Sequence, residues 1–155
     1  MNINIIAFFL ICNFFIVTLG FSKDLTKQIP IEKTVFLKGT LGEGHFFSPN
    51  QIKFFTGKLY KLKIVNISDS KHYFSSEKFS KAIFTRKIQI KKDADKIAEI
   101  KGVISEVEVW PKQELEWWFV PIKTGIFSDL ECSVIDNKTK LNHSEMGMQG
   151  KIIIK

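Results

Sequence analysis

From Tyr60 to Ile64 apolar and charged residues alternate strictly: Tyr60, Leu62 and Ile64 fall on one side, Lys61 and Lys63 on the other. A period of two places successive side chains on opposite faces of an extended chain, so this segment is a strand with one buried face. The same pattern returns with Leu115, Trp117 and Phe119 against Glu114 and Glu116, and with Val103, Val107 and Val109 against Glu106 and Glu108. Ile126, Ser128, Leu130, Cys132 and Val134 share one parity, and residues 151–155 give a last short strand. Turn signals punctuate these runs at Ser48-Pro49-Asn50, Thr56-Gly57, Pro111-Lys112 and Lys123-Thr124-Gly125. Strands and turns at this spacing predict an all-β sandwich or barrel of about seven or eight strands.

The stretch 75–102 breaks the rhythm. Ser76 can cap a short helix containing Phe79, Ala82 and Ile83, residues 87–90 read as strand, and the charge-rich 91–101 reads as an exposed loop or helical turn. Trp117 falls on the core face. Its neighbour Trp118 must face the other way, toward a partner or a second sheet.

With 45% hydrophobic residues the chain has ample material for a core, which excludes a disordered polymer. The first 22 residues differ from the rest. They carry no charge, and residues 5–19 are apolar apart from Asn13 and Thr18. That run is short for a membrane span and suits the apolar region of a secretory signal peptide, with an uncleaved anchor as the alternative. Small residues allow cleavage after Gly20 or Ser22. The organisation expected is therefore residues 1–22 as leader and residues 23–155 as one domain, exported to the periplasm, with no stable membrane span after cleavage.

Cleavage removes Cys12 and leaves Cys132 alone. A lone cysteine in an oxidising compartment is buried, reactive, paired with another chain or bound to metal. The formal net charge of +7 resides wholly in the mature part. Export argues against nucleic acid as the counterpart. The scattered lysines suit solubility and attraction to an acidic protein or an anionic surface.

Cys132 is followed, after ten residues, by His143, Met146 and Met148, between two expected strands. Upstream, His72 lies just past a strand end, with five residues between it and Asn66. Each residue has an ordinary explanation when taken singly: Cys132 as a small buried hydrophobe, the histidines as loop residues, the methionines as core filler. Together a thiol, two imidazoles and a thioether form the donor set that copper prefers. His45, in Gly42-Glu-Gly-His45-Phe-Phe, reads as structural or surface. No nucleophile elbow, phosphate loop or zinc-finger spacing occurs, so nothing in the sequence points to an enzyme.

These segments resemble the cupredoxins, the broad group of plastocyanin, azurin and rusticyanin, from about residue 35 to 155. Phe47-Ser-Pro-Asn50, Gly57 and Val65-Asn66 resemble the early strands. Asn66 to His72 resembles the first ligand motif, Thr124-Gly-Ile-Phe127 leading to Cys132 the strand that delivers the thiolate, and His143 through Met148 to Gly150 the closing motif. The resemblance implies a Greek-key β-sandwich with a short helical or irregular insertion after the first histidine. It also implies one copper ion held by His72, Cys132, His143 and Met148 in a blue-copper site. The function implied is electron transfer with a redox partner protein; the alternative is a copper-binding or delivery module with a copper donor or acceptor as partner. The ten residues between Cys132 and His143 exceed the family's usual few, so they either loop outward or distort the site. Asn142-His-Ser-Glu-Met146 also resembles the binuclear copper loop of cytochrome oxidase subunit II. That site needs two cysteines, and Met148 is favoured over Met146 as the axial residue.

Overall fold

The computed structural model describes residues 27–155. The leader expected at 1–22, and Cys12 with it, lies outside them. Eleven strands and one short helix occur among the described residues. One sheet has six strands, ordered β2 (His45–Ser48), β1 (Ile31–Gly39), β4 (Tyr60–Asn66), β9 (Glu114–Pro121), β6 (Ile83–Lys92) and β7 (Asp95–Ile100). The other has five, ordered β3 (Gln51–Phe54), β11 (Gln149–Ile154), β10 (Gly125–Glu131), β5 (His72–Ser75) and β8 (Glu106–Val109). Both sheets are mixed: β1 runs parallel to β4 and β11 parallel to β3, while the other pairs are antiparallel. The architecture is the expected all-β sandwich. Among the described residues no helix is long and apolar enough to cross a membrane.

The core follows from the alternation. Tyr60, Leu62 and Ile64 of β4 pair with Phe119, Trp117 and Leu115 of β9, and all six are buried. Ile52, Phe54, Phe74, Leu130, Ile152 and Ile154 face them from the second sheet. Burying side chains of this size contributes about 1.5–3 kcal/mol each before conformational entropy is set against it. The helix α1 (Glu77–Ser80) plugs one side. The hydroxyl of Ser76 accepts the Phe79 N–H at 3.3 Å, as an N-cap should, and fully buried Phe79 meets the rings of Phe54, Trp117 and Phe119 edge-on or stacked.

Four expectations need correction. Residues 91–101 are neither loop nor helical turn. They finish β6 and form β7, joined by a turn in which Asp93 and Ala94 both take positive φ. β7 is exposed along nearly its whole length, Ile97 and Ile100 included, so it has no buried face to leave a periodic signature. Val103 is 82% exposed and precedes β8 rather than belonging to it. Strict parity also fails in β10, where a register shift between Phe127 and Leu130 turns Phe127 toward the core and leaves Ile126 68% exposed. The strand number exceeds the expected seven or eight because the early segment and the 83–100 hairpin each supply more strands than the alternation reveals.

Candidate metal centre

The ends of six strands meet at one end of the sandwich. β4 ends at Asn66, β1 at Gly39 and β10 at Glu131, while β2 starts at His45, β5 at His72 and β11 at Gln149. His72 opens β5, Cys132 follows β10, and Met148 immediately precedes β11, so the five-stranded sheet fixes these positions before any loop is considered.

The loop from Asn66 to His72 is organised by a buried amide. Asn66 Nδ2 donates to the carbonyls of Ser70 at 2.7 Å and Val109 at 2.8 Å, and Oδ1 accepts from the backbone N–H and hydroxyl of Ser68. The Ser68 hydroxyl lies 2.8 Å from His72 Nε2. When the hydroxyl proton is directed to Asn66 Oδ1 or the Ser70 carbonyl, both within reach, Nε2–H donates to Ser68 and the Nδ1 lone pair is left free for a metal. On the other side, His143 N–H donates to Val134 O at 2.7 Å, Ser144 N–H to Cys132 O at 2.9 Å, and Met148 N–H to His143 O at 2.8 Å. These bonds fold Cys132, His143 and Met148 against one another.

The result is a convergence of donors. His72 Nδ1 and His143 Nδ1 are 3.0 Å apart, and Cys132 Sγ lies 3.8 Å from the first and 3.6 Å from the second. A metal bonded to two imidazole nitrogens at about 2.0 Å and a thiolate at about 2.3 Å, with angles of roughly 100–120°, separates its donors by about 3.1 Å for nitrogen–nitrogen and about 3.7 Å for sulfur–nitrogen. The observed separations match both figures. Cys132, Met148 and His72 are fully buried and His143 nearly so.

Electrostatics suit a cation. Burial first, then the neighbouring His143 and His45, pushes His72 from its ordinary 6.5 down to about 3. Burial, followed by His45, brings His143 down to about 4, with Asp136 acting the other way. Both imidazoles therefore offer lone pairs at neutral pH. Burial pushes the Cys132 thiol up, opposed by backbone N–H groups of Val134 and Tyr73, the latter donating to Sγ at 3.2 Å. A metal ion in place of the thiol proton would relieve the cost of a buried thiolate. Two lone pairs and a sulfur aimed at one point fit copper.

The two methionines are placed differently. Met148 sits in the core cluster with Cys132. Met146 is half-buried, and its Sδ accepts from the Thr139 hydroxyl at 3.2 Å, on the side of the inserted loop. That loop, residues 133–142, is ordered by a bridge between Ile135 and Asn142 and by Asp136, and the donors stay together beneath it.

His45 is the residue that sequence reasoning undervalued. Far from the surface, it is 1% exposed, and with His72 and His143 it forms a cluster whose ligand atoms lie within 4.8 Å of one another. Its ring stacks on that of His143, with centroids 3.6 Å apart and planes 16° from parallel. The signal available in the sequence was its place between Gly44 and an apolar strand.

No family model matches the sequence, and no curated protein matches it. The structure is similar to a multicopper oxidase from Campylobacter jejuni described as a metallo-oxidase, at 15% identity and a TM-score of 0.59 over 83% of this chain and 31% of that one. It is similar to the copper-containing nitrite reductase of Thermus scotoductus, at 10% identity and a TM-score of 0.58 over 83% of this chain and 32% of that one. It is also similar to the copper nitrite reductase of Nitrosomonas europaea, at 7% identity and a TM-score of 0.56 over 85% of this chain and 51% of that one. This chain thus spans about a third to a half of the length of those proteins. The fold is cupredoxin-like, and its arrangement of His72, Cys132, His143 and Met148 is compatible with a type 1 copper site.

Proposed function

We propose that the protein binds one copper ion through His72 Nδ1, Cys132 Sγ and His143 Nδ1, with Met148 as the weak axial ligand, and carries single electrons in the periplasm without catalysing a reaction of its own. The observation that supports this most is the approach of two imidazole Nδ1 atoms and one thiol sulfur to within 3.0–3.8 Å from separate parts of the chain. Copper, when bound, supplies a one-electron couple between Cu(I) and Cu(II).

The chain's residues account for the rest. Ser68 and Asn66 hold His72 in one tautomer and one orientation. The Tyr73 N–H steadies the sulfur. Strand ends anchored in a packed core keep the donors in place in either oxidation state, so little rearrangement opposes electron transfer. His143 lines a surface cleft with Leu41, Val134 and Ile135, so the site borders solvent on this side. The net charge of +7 favours a redox partner with an acidic docking face. A copper delivery module is the second reading, but a fully buried Cys132 favours retention over hand-off.

Potentiometric titration of the copper-loaded protein tests the role. Electron transfer predicts a reversible one-electron couple with copper retained through repeated cycles. Loss of copper on reduction, or its rapid transfer to a Cu(I) chelator, supports delivery instead.

A further inference from the structure

His45, His72 and His143 have the look of a three-histidine site, but the geometry of His45 argues for another role. An imidazole ligates along its nitrogen lone pair, with the metal close to the ring plane. A ring lying face to face on His143 at 3.6 Å and 16° cannot present a lone pair to a metal held in the plane of His143. Both ring nitrogens of His45 are also turned elsewhere. Nε2 lies 3.2 Å from Asp136 Oδ2. Nδ1 is buried without a hydrogen-bond partner and packs on Gly39, where a Cβ would sit 2.1 Å from it.

Asp136 is fully buried and lies within the ten-residue insertion. Besides His45, its carboxylate accepts three backbone N–H groups, from Gly42, Lys138 and Thr139, each at 2.8 Å. Its own N–H donates to Leu141 O at 2.8 Å, closing the loop on itself. The insertion is thus the outward loop of the two alternatives, largely exposed with the donors together beneath it, and it delivers one buried carboxylate to the back of His45. Four donors keep that carboxylate ionised well below the usual carboxylate range.

We propose that His45 and Asp136 form a tuning stack on His143: the His45 ring fixes the plane of the His143 imidazole, and the carboxylate behind it places a negative charge near the metal. This rests on His143 being a copper ligand. His45 is a positioning residue that acts through His143. A buried negative charge nearby favours the more highly charged Cu(II), so the stack lowers the reduction potential.

The test compares wild type with D136N, H45F and H45L, each loaded with copper. All should bind one copper and keep the thiolate absorption. The potential should rise in D136N, which loses the charge, and move less in H45F, which keeps both the carboxylate and a ring against His143. In H45L the Cu(II) EPR signal should broaden as the His143 plane is freed. In metal-free protein the His143 ring protons should lie upfield under the His45 ring current in wild type and move downfield in H45L. Should H45L fail to fold, D136N and H45F decide. Wild-type colour with potentials and EPR signals unmoved across the variants reduces His45 to packing and overturns the inference alone. Loss of copper in H45F, with three imidazole nitrogens coupled to Cu(II) in wild type, makes His45 a ligand and also overturns it. A wild type that takes up no copper overturns the underlying reading, and the tuning role with it.

Discussion

His72 and His143, 71 positions apart in sequence, point their Nδ1 atoms at one another across 3.0 Å. Without a metal one imidazole can donate to the other at this distance, and a thiol sulfur stands within 3.8 Å of both. A metal ion between them is the chemistry that uses all three donors.

The Ser68 hydroxyl lies 2.8 Å from His72 Nε2, where accepting the Nε2–H leaves Nδ1 for the metal. Ser68→Ala should leave the fold intact and weaken copper binding by roughly 10–100-fold. Competition with a chelator of known affinity measures this. An unchanged affinity would show that packing alone orients His72.

Metal-free protein should lose stability on the acid side of neutrality. His72 and His143 are held at about 3 and about 4 in the folded chain against an ordinary 6.5. A histidine depressed on folding takes up its proton preferentially in the unfolded state. Stability is thus fully present above about 6.5 and declines as the pH falls from there toward 4. Urea midpoints at pH 7.5 and pH 5 give the comparison, with the lower midpoint expected at pH 5. Equal midpoints would contradict the buried, uncharged state of these imidazoles.

Phe79 is fully buried and joins α1 to the aromatic rings between the sheets. Phe79→Ala should cost about 3–5 kcal/mol, read by equilibrium denaturation. A loss below about 1 kcal/mol would mean that the helix is peripheral, since surface substitutions fall in that range.

Gly39 leaves no room for a side chain beside His45, and the Gly44 carbonyl also lies 2.9 Å from where a Cβ would sit. Gly39→Ala should displace His45 and disturb the spectrum of a copper-loaded protein without touching a ligand. A spectrum identical to wild type would show that the β1–β2 end yields more readily than its packing implies.

How far the sequence disclosed this depends on what each segment buries. β4 was legible because its faces contrast, Leu62 buried and Lys61 and Lys63 half-buried, whereas β9 showed Trp117 as core but not that Glu116 and Val120 on its other face are buried too. The β6–β7 hairpin was not, because in β7 apolar Ile97 and Ile100 are as exposed as their charged neighbours, and pairing of β6 with β9 rather than periodicity holds it in the sheet. In β10 a bulge changed the parity of Phe127, which no alternation rule foresees. His72, Cys132, His143 and Met148 were readable as a donor set by chemistry and order. The meeting of His45 and Asp136, 91 positions apart, follows only from the closure of the insertion over the start of β2.

Cys132→Ser should abolish any intense visible absorption, because a serine oxygen cannot make the covalent metal–sulfur bond. Met148→Leu should keep copper while changing its potential. A larger change in Met146→Leu would move the axial role to Met146.

The optical and EPR spectra of purified protein loaded with Cu(II) test the central claim most directly. One copper per chain, an intense blue or green thiolate band and its loss in Cys132→Ser are the results predicted for a site of His72, Cys132 and His143. Failure to take up copper, or a colourless Cu(II) form with no thiolate band, would contradict it.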